Sequence, residues 1–249
     1  MGPSPPRDTP APVLTILHLD DQLVAVHKPA GLLVHRSNVD RHETRFALQL
    51  VRDRLGREVH PVHRLDRPTS GVLLFALDRD GCRRMSAAFE AGQVDKQYLA
   101  IVRGHPADAF EIDHPLVRLD DDATACGSTQ PALTRGCTLA RAELPHHVDR
   151  YPTSRYALVS LAPVTGRRHQ LRRHLKHAAH PIVGDTTYGK SGHNRLFESL
   201  FGSRRLLLAC TSLAFEHPNT GRPLRITAPP DDDFSAVIAS LGWILPGPR

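Results

Sequence analysis

Six uninterrupted apolar residues, Val72 to Leu77, follow directly on the charged stretch "HRLDRPTSG", His63 to Gly71. An apolar run of this length, bounded by turn residues, reads as a buried strand. Whatever the chain folds into must bury that strand and hold, just ahead of it, an aspartate flanked by Arg64 and Arg67. A solvated salt-bridge patch and a catalytic loop both fit this pattern. Adjacent positive charge favours the ionised form of a carboxylate, so Asp66 is a candidate nucleophile at neutral pH. Pro68 presets φ and Gly71 permits positive φ, which suits a fixed presenting loop.

Around this strand the signals mix without a regular alternation of strand and helix. "LTILHLDDQLVAVHKPAGLLVH" reads as short strands broken by Asp-Asp and by Pro29-Ala-Gly31, an opening β-meander. "ETRFALQLVRDRLG" places Ala47, Leu48, Val51 and Leu55 at helical spacing, with Gly56 as the stop. "DRDGCRRMSAAFEAG" starts on N-capping aspartates, carries Met85, Ala88 and Phe89 on one face and stops at Gly92. Strands are expected at Tyr98–Val102, Tyr156–Leu161, Leu206–Ala209 and Leu224–Thr227. "PDDDFSAVIASLGW" predicts a last helix with Asp233 and its neighbours at the positive end of the dipole and Gly242 as the stop. The stretch Asp120–Thr134 is expected to be a loop. The fold class is α+β, one domain over residues 13–249, behind a flexible proline-rich tail, 1–12, too poor in apolar residues to offset its ordering entropy.

Composition narrows the partners. Lys and Arg number 32 against 26 Asp and Glu, and 16 histidines add charge as pH falls, so an anionic partner is favoured. Cys82, Cys126, Cys137 and Cys210 form no C-x-x-C pair, which favours a reduced, cytoplasmic setting without a zinc site. Nothing in the sequence is apolar for long enough to span a bilayer, so no membrane association is expected. No nucleotide-binding glycine motif is present, and Asp78-Arg-Asp80-Gly81 lacks the spacing and closing glutamate of a calcium loop. Neither a cofactor nor a metal is expected.

Two further clusters carry chemistry. "TGRRHQLRRHLKHAAH", Thr165 to His180, holds four arginines, one lysine and four histidines, with Leu171, Leu175, Ala178 and Ala179 at helical spacing. It predicts an amphipathic helix with a basic outer face suited to phosphate, since guanidinium forks pair with it bidentately. His174, His177 and His180 recur every three residues, but no acidic or thiolate ligand accompanies them. In "DKQYLAIVRG", Lys96 and Tyr98 alternate along a strand and share one face, where a tyrosine is either packing or a platform for a base.

Taken in order, "HRLDRPTSG", "DKQYLAIVRG" and "TGRRHQLRRHL" resemble the three signature motifs of the RluA-type pseudouridine synthases, the RNA uridine isomerases. The resemblance runs over nearly the whole chain after residue 13. It implies a curved mixed β-sheet with flanking helices around a central RNA-binding cleft. It further implies that Asp66 is the catalytic aspartate and that Arg64 helps hold the space a flipped uridine leaves. Tyr98 would contact the uracil and is a candidate to take the C5 proton. Arg172 would pair with the aspartate and Leu171 would lie against the base. Arg67, Arg167, Arg168, His169 and Arg173 complete the expected RNA-binding set.

The isomerisation breaks the N1–C1′ bond and rejoins the ring through C5 with no redox change, so no cofactor is implied. The carboxylate stabilises an oxocarbenium-like C1′, traps it covalently, or assists loss of the 2′-proton. "LVHRSNVDRHE", "RYPTSRYALVSLAPVTGRRHQLRRHL" and "HPIVGDTTYGKSGHNR" resemble the members that act on uridine 65 of the tRNA T arm more than those acting on ribosomal RNA. The absence of an N-terminal S4-type domain agrees, and no protein partner is implied, so a monomer is expected. His193 and Asn194 receive no role from the resemblance. Three other readings remain: the same chemistry on ribosomal RNA, a non-catalytic RNA-binding protein in the same cleft, and a nucleoside hydrolase releasing free uracil.

Overall fold

The computed structural model describes residues 14–35, 44–120 and 124–245. The proline-rich tail lies outside these, as does most of "LVHRSNVDRHE". In chain order the elements are β1 (Ile16–Leu19), β2 (Leu23–Lys28), α1 (Ala47–Leu55), β3 (His60–Pro61), β4 (Ser70–Ala76), α2 (Arg79–Glu90) and β5 (Asp95–Arg103). Then come β6 (Ala109–Asp113), β7 (Leu116–Leu119), β8 (Ala125–Gln130), β9 (Leu133–Leu144), β10 (Ser154–Pro163) and α3 (Gln170–His177). The chain continues through α4 (Ser191–Phe201), β11 (Leu208–Glu216), β12 (Pro223–Thr227) and α5 (Asp232–Ser240).

Ten strands form one mixed sheet in the order β1-β2-β4-β11-β5-β10-β9-β6, with β3 on β4 and β12 on β11. All seven residues of β4 are buried, as the apolar run requires. Among the described strands the one parallel pairing joins β4 to β11, through Ser70 opposite Ala209 and Gly71 opposite Cys210. β12 takes the rest of that edge, from Ser212 to Glu216. The edge of β11 therefore forks where β4 begins, and the charged turn with Asp66 emerges at the fork.

Strand alternation divides the core. Leu99 and Ile101 of β5, with Tyr156 and Leu158 of β10, pack on Phe197 of α4 and Phe234, Val237 and Ile238 of α5. Ala100, Val102, Ala157, Val159 and Leu161 face Leu171 and Leu175 of α3, and Tyr98 packs on this second side. A separate cluster joins β2 and β4 to Val51 of α1 and Met85 of α2.

The α+β expectation holds, as do α1, α2 and α5, whereas the expected opening β-meander is a two-stranded hairpin of β1 and β2. Gly56, Gly92 and Gly242 all take positive φ just beyond their helices, and Asp78 Oδ1 caps α2 by accepting from the Gly81 amide at 2.7 Å. Three further expectations need correction. The stretch Asp120–Thr134 is not a loop: β8 pairs with β7, Leu116 opposite Gln130, and β9 starts at Leu133. The strand expected at Leu206–Ala209 begins at Leu208 and runs on to Glu216. The basic helix is short, starting at Gln170, and its charge is not all outward, since Arg172 and His174 are 5% and 0% exposed. Helix α4, whose first turn carries the weak helix formers Gly192 and Asn194, was not anticipated from the sequence. Among the described residues no helix is long and apolar enough to cross a membrane.

Candidate active site

The turn bearing Asp66 is fixed from both ends. The Thr69 amide donates to the Asp66 carbonyl at 3.0 Å, and His63 Nε2 accepts from the Leu74 amide at 3.0 Å. Gly71 sits at φ 111°, and a Cβ there would lie 2.0 Å from the Cys210 carbonyl oxygen, so only glycine permits the close parallel approach of β4 to β11. From below, Lys28 Nζ donates to the carbonyls of Leu32 (2.7 Å), Pro29 (3.0 Å) and Arg67 (3.1 Å) while wholly buried. Burial draws its pKa down to about 7, against the opposing pull of Asp66 and Asp231. Arg67 Nε donates to the Gly31 carbonyl at 3.1 Å, so the Pro29–Gly31 turn and the Asp66 turn are stitched together. Lys28 was missed from the sequence, where its only signal was a lysine ending the apolar run "LVAVH".

Across the cleft, α3 delivers Arg172. Its Nη1 donates to Asp66 Oδ2 at 3.2 Å, while Nε and Nη2 form a two-pronged contact with Asp185 at 2.7 and 3.0 Å. Asp185, 2% exposed, also accepts at Oδ1 from the amides of Thr187 and Tyr188, both at 2.9 Å. Burial pushes the Asp185 carboxyl up, but the Arg172 fork and the two amides outweigh it and hold the group below its ordinary value. Burial likewise opposes the Arg172 charge, yet the two carboxylates hold its pKa above normal. His169 caps this end of α3 at φ 55°, with Nε2 3.8 Å from Asp66 Oδ1 and Nδ1 3.0 Å from the Tyr188 hydroxyl. Burial lowers the His169 pKa, with Asp66 pulling the other way.

These groups open onto a cavity of about 650 Å³. Lys96 and Tyr98 line it together, as their alternation on β5 predicts, and Leu171 and Phe89 supply apolar wall. Burial, with contributions from Cys210 and Asp66, pushes the Tyr98 phenol well above 10.0, so it stays protonated at neutral pH. His63, whose ring stacks on Phe89 at 4.6 Å, is pushed down to about 3 by burial and is therefore neutral.

Of the residues expected at the site, Asp66, Arg64, Tyr98, Arg167, His169, Leu171 and Arg172 line this one cavity. Arg67, Arg168 and Arg173 do not. Arg67 braces the Asp66 turn as above, Arg168 donates to the Asp120 carbonyl, and Arg173 donates to the Val117 carbonyl at 2.9 Å. The last two thereby hold the β7–β8 hairpin against α3. Asp185 is the second group that sequence reasoning passed over. Among the described residues no group of three or more His, Cys, Asp or Glu is placed to hold a metal ion.

The sequence profile of the RNA pseudouridylate synthases matches residues 22–177, a span that includes the Asp66 turn, Tyr98 and Arg172. The chain belongs to that family. Among its relatives, tRNA pseudouridine synthase C of Haemophilus ducreyi is 49% identical over 234 residues, 92% of this chain and 96% of that protein. The protein of the same name from Vibrio cholerae is 46% identical over 236 residues, 93% and 97% of the two chains. The solved structure of human RNA pseudouridylate synthase domain containing 4 superposes with a TM-score of 0.71 at 27% identity, covering 94% of this chain and 95% of that one. As a pseudouridylate synthase the protein is an isomerase acting on uridine in RNA, and the mixed sheet with flanking helices is the fold of its relatives.

Proposed function

We propose that this pseudouridylate synthase acts on tRNA, at uridine 65 of the T arm, with Asp66 as its catalytic carboxylate. The observation that carries the reading is the 3.2 Å contact of Arg172 with Asp66 inside a cavity that Tyr98 and Leu171 also line. The tRNA substrate is supported by the names of the relatives that match over almost their whole length.

In this reading the target uridine leaves its stack, at a cost of a few kcal/mol, and Arg64 at the cavity rim occupies the space it vacates. The uracil then lies between Tyr98 and Leu171. As the N1–C1′ bond breaks, positive character grows at C1′, and the Asp66 carboxylate meets it by electrostatic stabilisation, by a covalent bond, or by taking the 2′-proton. The detached ring turns and C5 bonds to C1′. The C5 proton is lost and N1 gains one, so the atoms balance with no oxidant, reductant or water consumed. Tyr98, kept protonated by burial, acts as a platform rather than as the resting base. Arg172 keeps Asp66 aimed at the cavity. The catalytic unit runs from residue 13 to 249 and works as a monomer in the cytoplasm.

The test is to incubate the protein with tRNA and ribosomal RNA from a strain lacking it, without added cofactor, and to map new pseudouridines by carbodiimide-block primer extension. A new stop in the T arm is expected, absent with Asp66→Asn while RNA affinity persists. A stop only in ribosomal RNA would overturn the substrate, and free uracil would overturn the isomerase in favour of a hydrolase. Full activity in Asp66→Asn would remove the carboxylate's role.

A further inference from the structure

Asn194 in the first turn of α4 touches nothing in the cavity, yet it grips the segment that holds Arg172. Its Oδ1 accepts from the Gly184 amide at 2.8 Å and its Nδ2 donates to the Asp185 carbonyl at 3.0 Å. One carboxamide therefore brackets the two residues whose second member carries the buried carboxylate. An amide is the group with one acceptor and one donor side by side, which matches an N–H and a C=O presented in that order.

The gripped segment is tightly wound. Gly184 lies at φ 80°, and a Cβ there would come 1.7 Å from the Arg205 carbonyl oxygen. A Cβ on Gly189 would lie 2.2 Å from the Asp185 carbonyl oxygen, to which the Gly189 amide donates at 3.1 Å. The segment also carries Tyr188, whose ring lies 5.0 Å beneath the Arg172 guanidinium carbon and whose hydroxyl meets His169. Three of the contacts that orient the groups around Asp66 thus start from residues 185–188. Helix α4 is tied down independently of them: Phe197 is in the core with Tyr156 and Phe234, and His193 Nδ1 lies 2.7 Å from the Tyr156 hydroxyl.

We infer that Asn194 is a positioning residue of the isomerase, which transfers the fixed frame of α4 to the Asp185 segment and so sets Arg172 against Asp66. This rests on the reading of Asp66 and Arg172 given above. Asn194→Asp changes one atom. It removes the donor to the Asp185 carbonyl and places an anionic oxygen against that carbonyl, releasing the segment without altering volume. A misplacement of about 1 Å can cost a reaction about 100-fold, so a fall of roughly 10- to 100-fold in single-turnover rate is expected. RNA affinity should change far less than the rate, because Asn194 itself lines no part of the cavity.

The experiment measures, for wild type and Asn194→Asp, the single-turnover rate on target RNA, RNA affinity, thermal unfolding, and solvent exchange of the Arg172 Nε proton by nitrogen-15 NMR. That proton is buried and bonded to Asp185, so it reports the positioning directly and a merely structural role elsewhere would not move it. Slower turnover, affinity changed far less than the rate, and faster Nε exchange together support the proposal. Slower turnover with Nε protection intact overturns it, as does a loss confined to affinity or a wild-type rate with protection intact. Lost protection with an undiminished rate overturns both the proposal and the role of Arg172, whereas an Asp66→Asn enzyme that turns over overturns the underlying reading alone. If Asn194→Asp melts below the assay temperature, Asn194→Ser, which keeps one hydroxyl partner, is read in the same way.

Discussion

Arg172 Nη1 lies 3.2 Å from Asp66 Oδ2 although 106 positions separate the two residues. Nε and Nη2 of the same guanidinium donate to Asp185, which is more deeply buried than Asp66. One arginine thus serves two carboxylates. Asp185 anchors it, and Asp66 remains reachable from the cavity.

Removing the arginine should therefore harm the fold as well as the reaction. Arg172→Ala leaves Asp185, 2% exposed, as an uncompensated buried charge. Breaking such a pair costs about 3–5 kcal/mol. Urea unfolding should show that loss, and Arg172→Ala combined with Asp185→Ala should recover part of it. Normal stability in the single variant would contradict the anchoring role.

Lys28 makes stability depend on alkaline pH with a defined sign. Its folded pKa of about 7 lies below its ordinary 10.5, so between these values the unfolded chain binds the extra proton and stability rises with pH. The contribution is absent below about pH 7 and grows by at most about 1.4 kcal/mol per pH unit above it. The stability of wild type minus that of Lys28→Met, measured by denaturant titration from pH 6 to 10, should be flat and then climb. A difference independent of pH would show that the lysine is charged when folded.

Gly71→Ala tests the close approach of the strands. Its Cβ would stand 2.0 Å from a backbone oxygen of Cys210, at φ 111°. Either β4 or β11 must shift, which moves the Asp66 turn, and a loss above about 3 kcal/mol is expected, in the range reserved for strained or overpacked sites. Gly56→Ala, with positive φ but open space around it, should cost only about 1 kcal/mol. Comparable melting temperatures for the two variants would refute the steric argument.

RNA affinity should fall with salt, log K dropping by about 0.7–0.9 for each phosphate neutralised per decade of salt. Arg167, on the cavity wall, should lose about one such increment on replacement by alanine, whereas Arg173→Ala should leave the slope alone. Filter binding across a salt series separates them. Equal slope changes would mean that Arg173 leaves the Val117 carbonyl to meet RNA.

Much of the architecture was legible because it is written in short periods. The run Val72–Leu77 announced β4, Gly56, Gly92 and Gly242 marked helix ends, and Lys96 with Tyr98 declared a shared face. Strand β9 escaped because its pattern is half exposed and contains Gly136, a residue that weakens strand signals. The structure explains that glycine: a Cβ would lie 2.3 Å from the ring of Phe110, which stands opposite it on β6. Cluster by cluster, the sequence also contained most of the groups that now line the cavity.

What it determined by itself was the chemistry on offer: a buried strand, an aspartate at its mouth, a tyrosine on one strand face and a basic segment. Only the tertiary structure decided which arginine meets the aspartate. It sent Arg172 inward to Asp66 and Asp185, set Arg167 on the cavity wall with its Nε on the Pro131 carbonyl, and turned Arg67, Arg168 and Arg173 to backbone carbonyls away from the cavity lining. The physical reason is that local pattern follows from backbone geometry a few residues at a time, whereas ion pairing depends on which surfaces are buried together. At the fork of β4, β11 and β12, that is settled by contacts more than a hundred residues apart.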